Sequence, residues 1–295
     1  MNAAAGDGPD PAEVARVVAI ALAEDRSARD VTTTATVPPG SVGCAELVTR
    51  EPGVLAGLPV AEAVFLRVLG GDGRVVRHAR DGDRVAGGQL LMSVAGEVAG
   101  LLTAERPALN LLGHLSGVAT TTAAWVDALD GTGVAVRDTR KTTPGLRLLE
   151  KYAVRCGGGE NHRLSLEDQA LVKDNHVVAA GGAAAAFLAL RSRHPDLPVE
   201  VEVQTLDELR EVLAVGAPLV LLDNMPLAET AEAVRITRGR ARLEASGRLR
   251  LRDARAVAAT GVNSVAVGEL THSARVLDVS MRLVADAPVG ASHQM

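Results

Sequence analysis

Aromatic side chains are almost absent from these 295 residues: Phe65, Trp125, Tyr152 and Phe187 are the full set. Core volume must therefore come from Ala, Val and Leu, and a reader of single-stranded nucleic acid would lack its stacking platforms. Lysine is scarce as well, with only Lys141, Lys151 and Lys173 beside 28 arginines. Cys44 and Cys156 form neither a disulfide framework nor a metal-ligand spacing, which suits a reducing, cytoplasmic compartment. The longest apolar stretch, 177–190, falls short of the ~20 residues a membrane span needs. Residues 1–11 lack a secretory-signal pattern and read as a frayed tail. What is present is an ordinary globular composition, 47% hydrophobic and 23% charged, with a net charge of −5 that disfavours nucleic acid.

The chain changes grammar part-way along. Apolar spacing over 11–23 predicts a helix, and short β-like runs at 44–48, 74–78 and 89–94 alternate with Gly and Asp turns. Beyond Thr103 a long helix is expected over 108–129. Short strands follow at 133–136, 170–172, 199–203, 218–222, 242–245 and 264–267, each ending in polar residues and leading into a helical stretch. Strands alternating with helices imply parallel βαβ units and a TIM-like barrel, open or incomplete; a doubly wound sheet is compatible with the same spacing.

In a barrel, chemistry gathers at the C-terminal strand ends. Here those ends read Asp138-Thr139-Arg140-Lys141, Lys173-Asp174-Asn175-His176, Glu202, Asp223-Asn224, Ser246-Gly247 and Gly268-Glu269. Alternation puts Glu200 and Glu202 on one strand face, where covered carboxylates need cations, water or a metal. With Asp223 they form an oxygen-donor set that suits Mg²⁺. Ser246-Gly247 and Gly268, closing the last two strands, fit a backbone phosphate site. Residues 137–173 hold eight formal cations against five acids, a pocket for a multiply anionic ligand. Within it Arg147 and Lys151 read as solvated helix-face charges, and Arg140, Lys141, Arg163 and Lys173 as candidate ligand contacts.

The blocks Glu105-Arg106-Pro107-Ala108-Leu109-Asn110, Asp138-Thr139-Arg140-Lys141-Thr142, Gly157-Gly158-Gly159, Asn161-His162-Arg163, Lys173-Asp174-Asn175-His176, Leu222-Asp223-Asn224-Met225 and Glu244-Ala245-Ser246-Gly247 resemble the quinolinate phosphoribosyltransferase family. The likeness runs from about residue 12 to 283. It implies an N-terminal α/β sandwich domain over 12–115, joined by 275–295, and an open α/β barrel over 116–274. It further implies conversion of quinolinate and 5-phosphoribosyl 1-pyrophosphate to nicotinate mononucleotide, pyrophosphate and CO2 with Mg²⁺, in NAD synthesis, by a homodimer with shared sites.

Carried over position by position, the resemblance sends Arg106 into the pocket of the partner subunit. It places Arg140, His162 and Arg163 on the quinolinate carboxylates, and Lys141 and Lys173 against both substrates' negative charge. Glu202 and Asp223 would meet the ribose hydroxyls and Mg²⁺, directly or through water; Ser246, Gly247 and Gly268 would hold the 5′-phosphate. Two departures stand out: Arg248, where the family usually has a second Gly, and Arg26-Ser27-Ala28-Arg29 in place of a Gly-rich stretch. Three other readings share these features: a molybdenum-transport-associated paralogue, a barrel lyase using Lys141 or Lys173 as a Schiff-base nucleophile, and a phosphosugar-binding regulatory module.

Overall fold

The computed structural model describes residues 8–284, so the expected tail and the returning C-terminal segment lie partly outside the described residues. Twelve strands run along the described residues. Before the long helix Val98–Ala128 come β1 (Val42–Thr49), β2 (Gly53–Val54), β3 (Arg74–Arg77), β4 (Arg84–Val85) and β5 (Leu90–Glu97). After it come β6 (Ala135–Arg137), β7 (Ala170–Val172), β8 (Val199–Val203), β9 (Leu219–Asp223), β10 (Arg242–Ser246), β11 (Ser264–Ala266) and β12 (Val279–Val284). The chain forms two compact units.

The first unit comprises residues up to Thr121, Thr143–Gly158 and those from Ser273 onward. Its antiparallel sheet has the order β12-β1-β5-β3. In β1, Ala45, Leu47 and Thr49 are buried and alternate with more open residues, as one covered face requires. The helix Leu58–Leu69 contributes Leu58, Val60, Ala61, Val64 and Phe65 to the core. The C-terminal segment returns here by a close backbone crossing. Leu277 N–H donates to Gly113 O at 3.0 Å, and a Cβ on Gly117 would come within 2.2 Å of Arg275 O. Glycines on the long helix are what admit the returning chain.

Thr143–Gly158, which the sequence places inside the barrel segment, belongs to this first unit. Tyr152 of the helix Arg147–Cys156 donates to Asp81 at 2.8 Å, and Glu150 holds His114 at 2.8 Å and the Thr143 N–H at 3.0 Å. The expected solvated role of Lys151 is overturned. All six residues from Leu149 to Val154 are buried, so this helix is enclosed around its circumference and Lys151 has no route to water.

The second unit holds six parallel strands in the order β6-β11-β10-β9-β8-β7. From β7 to β11 each strand lies beside its predecessor, and β11 then pairs with β6. A doubly wound sheet reverses direction at a switch point, whereas this one progresses one way and returns to its first strand. It is a barrel left open between β6 and β7. Glu160 forms a parallel bridge to Arg137 on the free edge of β6, its N–H donating to Val136 O at 2.7 Å. The valines Val199, Val201 and Val203, with Val220, Leu222 and Val265, fill the barrel's surroundings. Among the described residues no helix is long and apolar enough to cross a membrane.

Candidate active site

Alternation along the parallel strands stacks side chains inside the barrel in layers. The lower layer is a buried charge network. Arg137 of β6 lies 2.6 Å from Glu244 of β10, and Ser264 of β11 donates to the same Glu244 oxygen at 2.9 Å. Glu200 of β8 accepts from Gln169 at 3.1 Å. Between the two glutamates sits His162, its Nε2 2.9 Å from Glu200 and 3.5 Å from Glu244. Its Nδ1 accepts the Arg163 backbone N–H at 2.7 Å, while the His162 backbone N–H donates to the fully buried Asp138 at 2.8 Å. Burial and the Glu200 carboxylate push Glu244 above the usual carboxylate range, against the pull of Arg137. His162, Glu200 and Glu244 are spaced to hold a metal, their ligand atoms lying within 4.8 Å of one another. Arg137 already supplies a counter-charge to this pair.

Two residues further along the strands the next layer opens to solvent. Glu202, Asp223 and Ser246 line a cavity of about 500 Å³ together with Arg140, Lys141, His162, Arg163, Lys173 and Gly247. Arg248 lines it too, so five cations face two carboxylates. Lys173 Nζ lies 3.4 Å from Glu202, whose pKa is raised by burial, lowered by Lys173 and raised again by Asp223, with a net upward shift. Burial and the neighbouring Arg140 lower the pKa of Arg163, a sign of how closely the two guanidiniums are held. The Nε of Arg140 is buried with no hydrogen-bond partner among the described residues.

The end of the cavity at Ser246-Gly247 is built from backbone. Gly247 has φ +93°, and a Cβ there would lie 2.4 Å from the Asn224 side chain. Only glycine fits that path. Gly268 lines an adjoining cavity of about 390 Å³ that shares Lys141, Ser246, Gly247 and Arg248 with the first. A Cβ on Gly268 would press on His272 at 3.0 Å and Lys141 at 3.3 Å. Thr271 pins the loop by donating to Lys141 O at 2.9 Å, and Trp125 donates to Glu269 at 2.8 Å.

Nine of the eleven residues proposed from sequence thus line one cavity and Gly268 lines the next. Arg106 lies in the first unit, exposed on the long helix. Both ring nitrogens of His162 face protein partners, so a bond from this ring to a substrate carboxylate would require one of those contacts to be given up. β8 lies between β7 and β9, so the paired glutamates are not on an edge strand. Sequence reasoning missed Thr139, His272 and Arg250 as cavity residues. Position after a strand end was the available signal for the first.

Comparisons with known proteins agree with this geometry. The family described as quinolinate phosphoribosyl transferase matches with its N-terminal domain over residues 30–116 and its C-terminal domain over 118–282. The chain is 53% identical over 268 residues to the carboxylating nicotinate-nucleotide pyrophosphorylase of Mycobacterium leprae, covering 89% of this chain and 94% of that one. It is 41% identical over 244 residues to the probable enzyme of that name from Bacillus subtilis, covering 82% and 84%. The structure of the nicotinate-nucleotide pyrophosphorylase from Francisella tularensis superposes with a TM-score of 0.89 at 35% identity, covering 96% of this chain and 100% of that one. With an open parallel barrel, a cationic cavity at its strand ends and both family domains matched in order, this chain belongs to the quinolinate phosphoribosyltransferase family.

Proposed function

We infer that this chain transfers the phosphoribosyl group of 5-phosphoribosyl 1-pyrophosphate to quinolinate, releasing pyrophosphate and CO2 and forming nicotinate mononucleotide for de novo NAD synthesis. The observation that carries this reading is the single cavity with five cations facing two carboxylates, continuous with a backbone phosphate turn at Ser246-Gly247. Cleaving the C1′ to pyrophosphate bond develops positive charge on the ribose and negative charge on the leaving group. Glu202 and Asp223 can answer the first, and Lys141 and Lys173 the second. Arg140 and Arg163 present forks that match the two carboxylates of a pyridine diacid. Bond formation makes the pyridine nitrogen cationic, and that charge stabilises the carbanion left on the adjacent ring carbon when its carboxylate departs as CO2; a proton taken up at that carbon completes the product. The protein's work in this step is orientation.

Glu202 and Asp223 also form the donor set that suits Mg²⁺, an oxygen-seeking ion that takes its remaining ligands from water and substrate phosphates. When bound it would neutralise the leaving pyrophosphate. Lys173 is already paired to Glu202 and Lys141 is exposed, so neither has the apolar setting that activates a Schiff-base lysine. A cytoplasmic setting suits the two free cysteines. The working unit is a homodimer in which Arg106 of the partner subunit completes each cavity; the support is that Arg106 is exposed on its own chain and carries a charge the cavity's anionic substrates would attract.

Purified protein should form nicotinate mononucleotide and CO2 in equal amounts from quinolinate, with Mg²⁺ required. Nicotinate should be a poor substitute, because one of the two guanidinium contacts has no carboxylate to meet. Equal use of nicotinate would overturn the substrate assignment. For the shared site, Arg106→Ala and Lys141→Ala proteins, each nearly inactive alone, should recover about a quarter of wild-type activity after random subunit exchange, since one site per mixed dimer is intact. Failure to recover after exchange is verified would rule against it.

A further inference from the structure

Three residues at the ends of β9 and β10 share left-handed backbone: Asn224, Gly247 and Arg248, with φ of 55°, 93° and 44°. Gly247 has steric reason for it, and Asn adopts this region readily. Arg248 has neither advantage. Arg26 and Arg238 adopt the same region, with φ of 49° each, and line neither cavity, so it is the placement of Arg248 that sets it apart. Here the backbone placement sets Arg248 at the junction of the two cavities, lining both. In the smaller one it stands with Lys141, Arg250 and His272, and the carboxylate of that wall, Glu269, accepts from Trp125.

We propose that Arg248 is a phosphate ligand, its guanidinium closing over phosphoryl oxygens seated at Ser246-Gly247. The fork geometry matches a phosphoryl group in two-point contact, which the compact ammonium of Lys141 does not. The ligand chemistry is a phosphate monoester or a pyrophosphate. This assignment rests on the phosphoribosyl-transfer reading of the same site, but its test needs no turnover.

Calorimetric titration of the full chain with ribose 5-phosphate, and separately with inorganic pyrophosphate, tests the proposal on wild type, Arg248→Gly and Arg248→Lys. Glycine adopts positive φ without strain, so Arg248→Gly keeps the fold and its Tm should equal or exceed that of wild type. Affinity for ribose 5-phosphate should fall about tenfold in Arg248→Gly and recover in part in Arg248→Lys. A loss confined to pyrophosphate would also support a phosphate ligand and would assign it to the leaving group. Unchanged affinity for both ligands in Arg248→Gly overturns the proposal, as does a wild type that binds neither. A wild type that binds ribose 5-phosphate yet turns over no quinolinate would refute the reaction while leaving the Arg248 result to be read on its own.

Discussion

Replacing Lys141 with Ala should lower kcat/KM for the phosphoribosyl substrate by about 10²–10³-fold, the size of effect seen when one donor to a developing anion is removed. Lys141 lines both cavities, and its Cδ lies 3.3 Å from where a Cβ on Gly268 would stand, so its stem passes the Gly268 turn. Negative charge accumulates on the departing pyrophosphate as the bond to C1′ breaks, and an ammonium there is stronger in the transition state than in the ground state. The loss should therefore fall mainly in kcat. Stability should not change, because the side chain is exposed and the loop is held by the Lys141 carbonyl, which accepts from Thr271. Lys141→Arg should restore little, since a planar fork cannot replace a compact point charge. Steady-state kinetics paired with thermal melts separates these effects; a loss under threefold would remove Lys141 from the reaction.

Arg137→Leu should destabilise the protein by about 3–5 kcal/mol, because it leaves Glu244, already 2% exposed and beside Glu200, without its counter-charge. The double variant Arg137→Leu with Glu244→Leu should recover much of that loss. The pH dependence has a definite sign. The pKa of Glu244 is raised in the fold by burial and by Glu200, and Arg137 opposes the rise. Removing Arg137 raises it further. A carboxyl raised in the folded state adds stability at pH below its unfolded value and loses that contribution as pH climbs through the folded value. The penalty of Arg137→Leu should therefore grow from pH 5 to pH 8. Urea denaturation at the two pH values measures it, and a penalty that failed to grow with rising pH would overturn this account of Glu244.

The same layer shows how much was legible beforehand. Period-two alternation in Val-Glu-Val-Glu-Val placed Glu200 and Glu202 on one inward face, where the structure has them. Strand-end polarity located Lys141, Lys173, Glu202, Asp223 and Ser246. The helix 108–129 was foreseen, although it begins ten residues earlier at Val98. Three features escaped. β12 went unassigned although Val279-Ser280-Met281-Arg282-Leu283 alternates apolar and polar; its place in the sheet comes from pairing with β1, Cys44 opposite Val284. Lys151 read as a surface charge because its neighbours in sequence include polar residues, yet the helix is enclosed. The partners of His162 come from β8 and β10, so no spacing along the chain announces them.

Local patterning by itself determined most of the elements, the alternation of strand and helix and the chemical character of the strand ends, since alternation and helical period act between residues a few positions apart. Only the tertiary structure decided where the barrel stays open, which unit takes the segment Thr143–Gly158, and that a buried network of Arg137, His162, Glu200 and Glu244 underlies the cavity. Those outcomes depend on contacts between distant segments, where burial cost and charge balance select among arrangements that local sequence leaves equivalent.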